Sequence, residues 1–166
     1  MKKLFLVGGL LCAGAGAAQG QEYEVKYPAP KEPYGATPKA GVEAVAPFKK
    51  ANLILVYPLD SAKTAIKQMA ILLQQNGFAV DRLDYDLLSV STKPKAVGSS
   101  VYNASVLAVW NKDHLEITGQ WTGQAMGLTV QEPIAYTNPT SRQIFTEVQK
   151  IALAYPNARV AYAQRL

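Results

Sequence analysis

The sequence predicts an α+β domain: a single curved antiparallel sheet with two helices packed on one face. Its apolar patterns come in the order strand, helix, three or more antiparallel strands, helix. Both helical patterns carry one apolar stripe, so each helix has one face to bury. The hairpin pattern between them has one dry face and one mixed or polar face, as an antiparallel sheet covered on one side does.

Residues 1–20 predict a secretory signal peptide. Lys2 and Lys3 precede an apolar run that is shorter than the ~20 residues of a membrane-spanning helix, and small residues follow the run. We expect cleavage after Gly20, with cleavage after Ala17 as the alternative. The protein is therefore expected in the periplasm or outside the cell, without an integral membrane segment after cleavage.

Cys12 raises the alternative of a lipoprotein, because bacterial lipoproteins are cut before a cysteine that is then acylated. That processing requires a small residue before the cysteine, and Leu11 stands there. Lipidation is therefore not expected, and cleavage after Gly20 removes the single cysteine of the chain. Thiol catalysis, disulfide exchange and cysteine-ligated zinc are excluded from such a mature chain. The pattern indicates no cofactor and no metal site.

Residues 21–47 form a proline-rich segment with five of the ten prolines and little hydrophobic periodicity. Such a composition is typical of an extended linker with polyproline II character. Pro30 and Pro33 also have the spacing of a partner-binding P-x-x-P motif, which is the functional alternative.

One domain is expected over residues 48–166, which is enough chain to bury a core. The apolar run at 52–59 predicts a buried strand, and Asp60 or Ser61 can cap the helix that follows. Gly77 suits the left-handed end of that helix. Its predicted apolar stripe consists of Ala62, Ile66, Met69, Ala70 and Leu73.

Residues 78–97 predict one or two short strands with a bend or bulge near Leu87–Leu88. Arg82, Asp84 and Asp86 share a strand face at a period of two. We expect a surface ion pair with Arg82 there, because the spacing of a calcium-binding loop is absent.

The stretch "VLAVWNKDHLEITGQW", residues 106–121, predicts a hairpin around the turn "NKDH". Its dry face pairs Trp110 with Leu115, Ala108 with Ile117, Val106 with Gly119 and Ala104 with Trp121. Its other face pairs Val109 with Glu116, Leu107 with Thr118, Ser105 with Gln120 and Asn103 with Thr122. His114, the single histidine, is expected to be solvated at the end of the turn and to have no catalytic role.

The remaining elements are a short strand on either side of Pro133, a second helix and a terminal strand within 159–165. Thr140 and Gln143 have the spacing of a capping box, and Pro156 ends the helix. The predicted buried stripe of this helix consists of Ile144, Val148, Ile151, Ala152 and Tyr155.

These elements resemble a family of secreted bacterial domains of unknown function whose fold is described as TATA-binding-protein-like. The resemblance lies in "NLILVYPLDSAKTAIKQMAILLQQNGF", "DYDLLSVSTKPK" and "LEITGQW", and it covers residues 52–155. The family implies the fold but supplies no catalytic residue to carry over.

The name of that fold does not imply DNA binding here. Proteins that bend DNA on such a sheet use paired repeats, basic residues and apolar wedges on the open face. This chain has one copy, and its 17 basic and 12 acidic residues form no run of like charge. A nucleic-acid partner is therefore not expected.

The leading hypothesis is a non-catalytic binding or protein-interaction module of the cell envelope, since no motif indicates an enzyme. Its partner would be another envelope protein or a second copy, bound on the open sheet face. The residues expected there are Leu107, Val109 and Thr118.

The alternative is a carrier of a small apolar ligand, held in a pocket between helix and sheet. The residues expected to line such a pocket are Trp110, Trp121, Tyr102 and Met69. All four are also ordinary core residues, because large rings over small neighbours are a common packing arrangement.

Overall fold

The computed structural model describes residues 46–98, 102–125 and 128–165, which form an antiparallel, unclosed sheet of eight strands with two helices. The α+β class is confirmed. In chain order the elements are β1 (Leu53–Tyr57), α1 (Ala62–Gln75), β2 (Val80–Asp84), β3 (Ser89–Thr92), β4 (Lys95–Val97), β5 (Tyr102–Asn111), β6 (His114–Ala125), β7 (Leu128–Pro133), α2 (Pro139–Leu153) and β8 (Arg159–Ala163).

The predicted signal peptide and nearly all of the proline-rich segment, including its P-x-x-P spacing, lie outside the described residues. Among the helices that the structure describes, none is both long and apolar enough to cross a membrane.

The β5–β6 hairpin is the centre of the sheet, whose order is β2-β3-β5-β6-β1-β8, with β4 beside β5 and β7 beside β6. Its register runs from Tyr102 opposite Gly123 to Asn111 opposite His114. All eight pairings expected from the alternation are confirmed. The register follows from the sequence because a slip of one residue would turn every apolar side chain to the other face.

β1 is buried on both faces, which explains its unbroken apolar run. It lies between β6 and β8, so Ile54 stands opposite Ile117 on one side and Tyr162 on the other. The terminal strand β8 is thereby confirmed.

α1 begins after Ser61, whose side chain makes no capping hydrogen bond and instead contacts the Thr64 hydroxyl at 3.0 Å. The predicted stripe is buried except for Ala62, which is half-exposed at the first turn. Asn76 ends the helix and Gly77 follows with φ of 78°, as expected for a left-handed residue.

The predicted capping box of α2 is wrong. Asn138 is the N-cap, because its Oδ1 accepts a hydrogen bond from the backbone N–H of Ser141 at 2.8 Å. Pro139 then occupies the first turn, where its missing N–H costs nothing, so Thr140 lies inside the helix. The predicted stripe is buried, with Tyr155 just beyond the last turn.

The bend predicted near Leu87–Leu88 is a tight turn that joins β2 to β3, and Leu88 there has φ of 48°. The bulge lies instead between Val80 and Arg82. Arg82 does form the expected surface ion pair, with Asp84 at 2.5 Å. Asp84 also accepts the backbone N–H of Leu87, so it holds the turn together.

Pro133 ends β7, and the strand expected after it does not form. Ile134 and Tyr136 instead donate single backbone hydrogen bonds to Gly119 and Ala51. Gly119 has no room for a side chain, since a Cβ would stand 2.5 Å from the Ser105 carbonyl oxygen.

The main core lies between both helices and one face of the sheet. α1 packs near β2, β3 and β5, and α2 packs near β1. The sheet residues of this core include Ile54, Val56, Val106, Leu115 and Ile117. The opposite face carries a separate, smaller apolar cluster without any helix residue: Leu53, Leu55, Ala161 and Ala163.

Candidate interaction face

The sheet surface turned away from both helices is called the helix-free face below. Its rows follow from the pairing register: Glu116 stands between Leu55 of β1 and Val109 of β5, and Leu107 stands opposite Thr118. β8 continues the first row with Ala161, and β3 continues it with Ser89.

The three residues predicted for an interaction face lie together on this surface. Leu107 has 42% of its area exposed, which is high for a leucine in the middle of a sheet, whereas Val109 and Thr118 are half-buried. Thr118 is the cross-strand neighbour of Leu107, and Val109 is the next residue of β5 on the same face. Their role as contact residues stays a prediction.

A groove of about 460 Å³ opens beside Leu107. The side chains and backbone that line it are mostly small or polar, and they include Ser91, Ser105, Thr118, Gln120, Pro133 and Arg165. The groove therefore combines one exposed aliphatic side chain with hydroxyl, amide and guanidinium groups.

A buried ionic cluster borders the groove. The side chain of Glu116 is 8% exposed, and its carboxylate accepts hydrogen bonds from Arg165 Nη2 at 2.6 Å and Asn111 Nδ2 at 2.7 Å. A buried carboxylate needs such donors, because losing its hydration would otherwise favour the neutral acid.

The prediction that His114 is solvated is wrong. The turn consists of Lys112 and Asp113, so His114 is the first residue of β6 and is only 6% exposed. Its ring packs on Tyr57, with 4.9 Å between ring centroids. Nδ1 lies 2.9 Å from Asp113 Oδ1 and Nε2 lies 3.5 Å from Glu116 Oε1.

Two opposing effects set the pKa of His114. Burial alone lowers it, but hydrogen bonds and attraction from Glu116 and Asp113 outweigh the burial and raise the pKa above its usual value of 6.5. Both ring nitrogens lie near carboxylate oxygens, so His114 belongs to the same ionic cluster as Glu116.

Arg165 joins the cluster to the groove. Its backbone N–H and C=O both bond to the side chain of Asn52, at 2.7 and 3.0 Å. Its Nε is buried and has no hydrogen-bond partner in the described part of the chain. A buried donor without an acceptor is costly, so this part of the Arg165 side chain lowers the stability of the face slightly.

The four residues predicted to line a ligand pocket all lie in or against the main core, but the two tryptophans stand toward opposite ends of the β5–β6 hairpin. Trp121 is buried and meets Tyr102 edge-on, with 5.4 Å between ring centroids, and Met69 is fully buried in the main core. Trp110 is partly buried at the other end of the hairpin, where its Nε1 donates to Lys112 O. It stands six positions along β5 from Ala104, the partner of Trp121, which is about 20 Å of strand.

Sequence reasoning missed Arg165 and Asn52 as parts of this face. Arg165 meets Glu116 across 49 residues of chain and Asn52 across 113. Neither contact leaves a local spacing signal. The sole hint was Glu116 itself, a carboxylate between two apolar neighbours of a central strand.

No known family model and no curated protein matches this chain. Within the described residues, histidine, aspartate and glutamate side chains form no group arranged to hold a metal ion.

Proposed function

We propose that this protein is a non-catalytic binding module of the cell envelope, and that it contacts another envelope protein through the helix-free face. The observation that carries the proposal is the groove beside Leu107, which joins an exposed leucine to a row of hydrogen-bonding side chains. Exposed apolar area next to oriented polar groups is typical of protein interaction sites.

An extended polypeptide segment is the partner that suits this groove. One of its apolar side chains would cover Leu107, and its backbone carbonyls would accept hydrogen bonds from the groove hydroxyls and from the exposed part of the Arg165 side chain. A segment bound in this way gains affinity from main-chain bonds and specificity from the leucine contact.

The fold family and the location belong to the same proposal. The order strand, helix, strands, helix, with both helices on one face, supports a curved TATA-binding-protein-like sheet extended by β8. The lysine pair and short apolar run of residues 1–20 support export to the periplasm or beyond. Mass spectrometry of the N-terminal peptide tests the export: a chain beginning at Gln21 supports it, and an acylated peptide beginning at Cys12 contradicts it.

Two lysine variants test the interaction face. Leu107→Lys places a charge on the helix-free face, and Leu153→Lys places the same charge at the end of α2, where the leucine is equally exposed at 41%. Each variant and the wild type are purified from the native envelope, and the co-purifying proteins are quantified by mass spectrometry.

We expect one or more envelope proteins to be lost from the Leu107→Lys sample and retained by Leu153→Lys. Identical protein sets in all three samples would contradict a role for this face. Loss of self-association instead, seen by light scattering for Leu107→Lys alone, would identify a second copy as the partner.

A further inference from the structure

A titratable ring is joined to the groove beside Leu107 through two charged side chains. His114 Nε2 lies 3.5 Å from Glu116 Oε1, and Glu116 Oε2 accepts a hydrogen bond from Arg165 Nη2 at 2.6 Å. The ring and the guanidinium group therefore share one carboxylate. Arg165 lines the groove, and 34% of its side chain is exposed. A contiguous path of polar contacts thus leads from the single histidine of the chain to the groove.

The other groups around His114 belong to the β5–β6 hairpin, β1 and β8. Asp113 Oδ1 lies 2.9 Å from Nδ1 of the ring. Tyr57 packs on the ring, and the guanidinium group of Arg159 lies over Tyr57, 4.8 Å from its centroid. Two further polar residues of the hairpin lie beside the ring: its cross-strand partner Asn111 and the turn residue Lys112. Carboxylates near a histidine favour its protonation, and positive charges oppose it.

The balance of these effects favours the protonated ring. Burial lowers the pKa of His114, but hydrogen bonds and attraction from Glu116 and Asp113 raise it above its usual value of 6.5. Histidine is the side chain whose ordinary pKa lies closest to neutral pH. The ring is therefore charged at mildly acidic pH and becomes neutral as the pH rises through the folded-state value.

The protonation of His114 changes the charge balance next to Arg165. With a neutral ring, the carboxylates of Asp113 and Glu116 outnumber the guanidinium group of Arg165, so these four side chains carry an excess of negative charge. With a protonated ring, their charges balance. Salt screens this change only weakly, because His114 and Glu116 are buried. A lower pH therefore makes the exposed part of Arg165 more attractive to a negatively charged group in the groove.

We propose that His114 regulates the groove, which binds an extended segment with an acidic side chain more tightly when the ring is protonated. The acidic side chain of the segment lies at the exposed part of Arg165, and its apolar side chain lies on Leu107. This inference rests on the proposed function, since it adds an acidic group and a regulating proton to the same partner contact. By linkage, the bound segment must in turn favour protonation of His114.

Nuclear magnetic resonance of the whole exported protein tests the path from His114 to Arg165 without any partner. Histidine and arginine are isotope-labelled, and Arg165→Lys identifies the Arg165 signal. The pH is raised from about 5 to about 9, across the range in which histidine titrates. We expect the Nε shift of Arg165 to change with the same midpoint as the ring of His114. Arg142, which lies over Tyr136 at α2, is the control and should show no such change.

Two variants of the cluster sharpen this measurement. Asp113→Asn removes a carboxylate beside the ring and keeps the fold, because the Asp113 side chain is 65% exposed. We expect it to move the midpoints of His114 and Arg165 together to lower pH. His114→Gln should abolish the change at Arg165. An Arg165 shift that stays flat through the titration of His114, or a change that persists in His114→Gln, would overturn the proposal.

A second experiment measures the partner contact at two pH values. A photoreactive phenylalanine analogue replaces Leu107, and isolated envelopes are irradiated at about pH 6 and at about pH 8, on either side of the histidine titration. We expect several-fold more of the cross-linked adduct with an envelope protein at the lower pH. The control is the same analogue in the His114→Gln protein, where the two pH values should give equal amounts.

The outcomes separate this inference from the proposed function. Equal amounts of adduct at both pH values without the His114→Gln change would overturn the regulation and leave the partner contact standing. A pH dependence that persists in His114→Gln would overturn it as well, because groups of the partner would then cause it. No adduct at either pH would contradict the partner contact itself, and the regulation with it.

Discussion

The side chains on the two faces of the sheet are buried by different kinds of interaction. On the helix-covered face, Leu115 and Ile117 of β6 pack against apolar side chains of the core. On the helix-free face, their neighbour Glu116 is buried by pairing with Arg165 and Asn111. The strand β6 is therefore buried by non-directional apolar contacts on one side and by directional hydrogen bonds on the other. An apolar contact tolerates a change of side-chain shape, whereas a buried hydrogen-bonding group does not tolerate the loss of its partner.

The largest stability effect is expected on the helix-covered face. Leu115→Ala removes a fully buried side chain from the core and should lower the free energy of unfolding by about 3 kcal/mol, since a cavity is left behind. Urea denaturation measures it, with Leu128→Ala as the control because Leu128 is 71% exposed on β7. Equal losses in both variants would contradict the assignment of Leu115 to the main core.

A smaller loss of stability is expected at Glu116, the next residue of the same strand. Glu116→Gln keeps the shape of the side chain but sets its new amide group against Arg165 and Asn111, and should cost about 1.5 kcal/mol because Arg165 is partly solvated. Glu132→Gln, on the exposed strand β7, is the control. An unchanged urea midpoint for Glu116→Gln would show that the ionic cluster does not stabilise this face.

The ionic cluster also predicts a pH dependence. The pKa of His114 is raised in the folded state, so its stabilising contribution is fully present below the usual pKa of 6.5 and is lost as the pH rises through the folded value. His114→Gln should therefore destabilise the protein more at about pH 5.5 than at about pH 8. Thermal unfolding at the two pH values measures the difference, and an equal or reversed effect would contradict the sign.

The smallest stability effect is expected at the groove. Leu107→Lys changes an exposed side chain and should alter the free energy of unfolding by less than about 0.5 kcal/mol. The same variant is expected to lose its partner, so Leu107 should contribute to binding but not to the stability of the fold. A large drop in the urea midpoint would mean that Leu107 stabilises the folded state instead of binding a partner.

The helix-covered face was predictable because its signals are local. Alternation over β5 and β6 determined the register, and the spacing of Ile66, Met69 and Leu73 determined the buried side of α1. The cap of α2 was missed because Asn138 and Thr140 both lie in a run of capping residues, and the geometry of Pro139 decides between them.

The helix-free face was predictable only in part. Leu107, Val109 and Thr118 follow from alternation, which is a local signal. The burial of His114 depends on its contact with Tyr57 of β1, and the pairing of Glu116 with Arg165 depends on where the C-terminal strand returns to the sheet. Charged residues carry no periodic signal for a partner that is 49 residues away.

The most direct test of the helix-free face as the partner site is photo-cross-linking in intact cells that make the protein. A photoreactive phenylalanine analogue replaces Leu107 in one sample and Leu153 in another, since these leucines are equally exposed on opposite sides of the sheet. If the helix-free face is the partner site, position 107 gives a discrete cross-linked adduct with another envelope protein and position 153 gives none. The same adducts from both positions, or an adduct from position 153 alone, would contradict it.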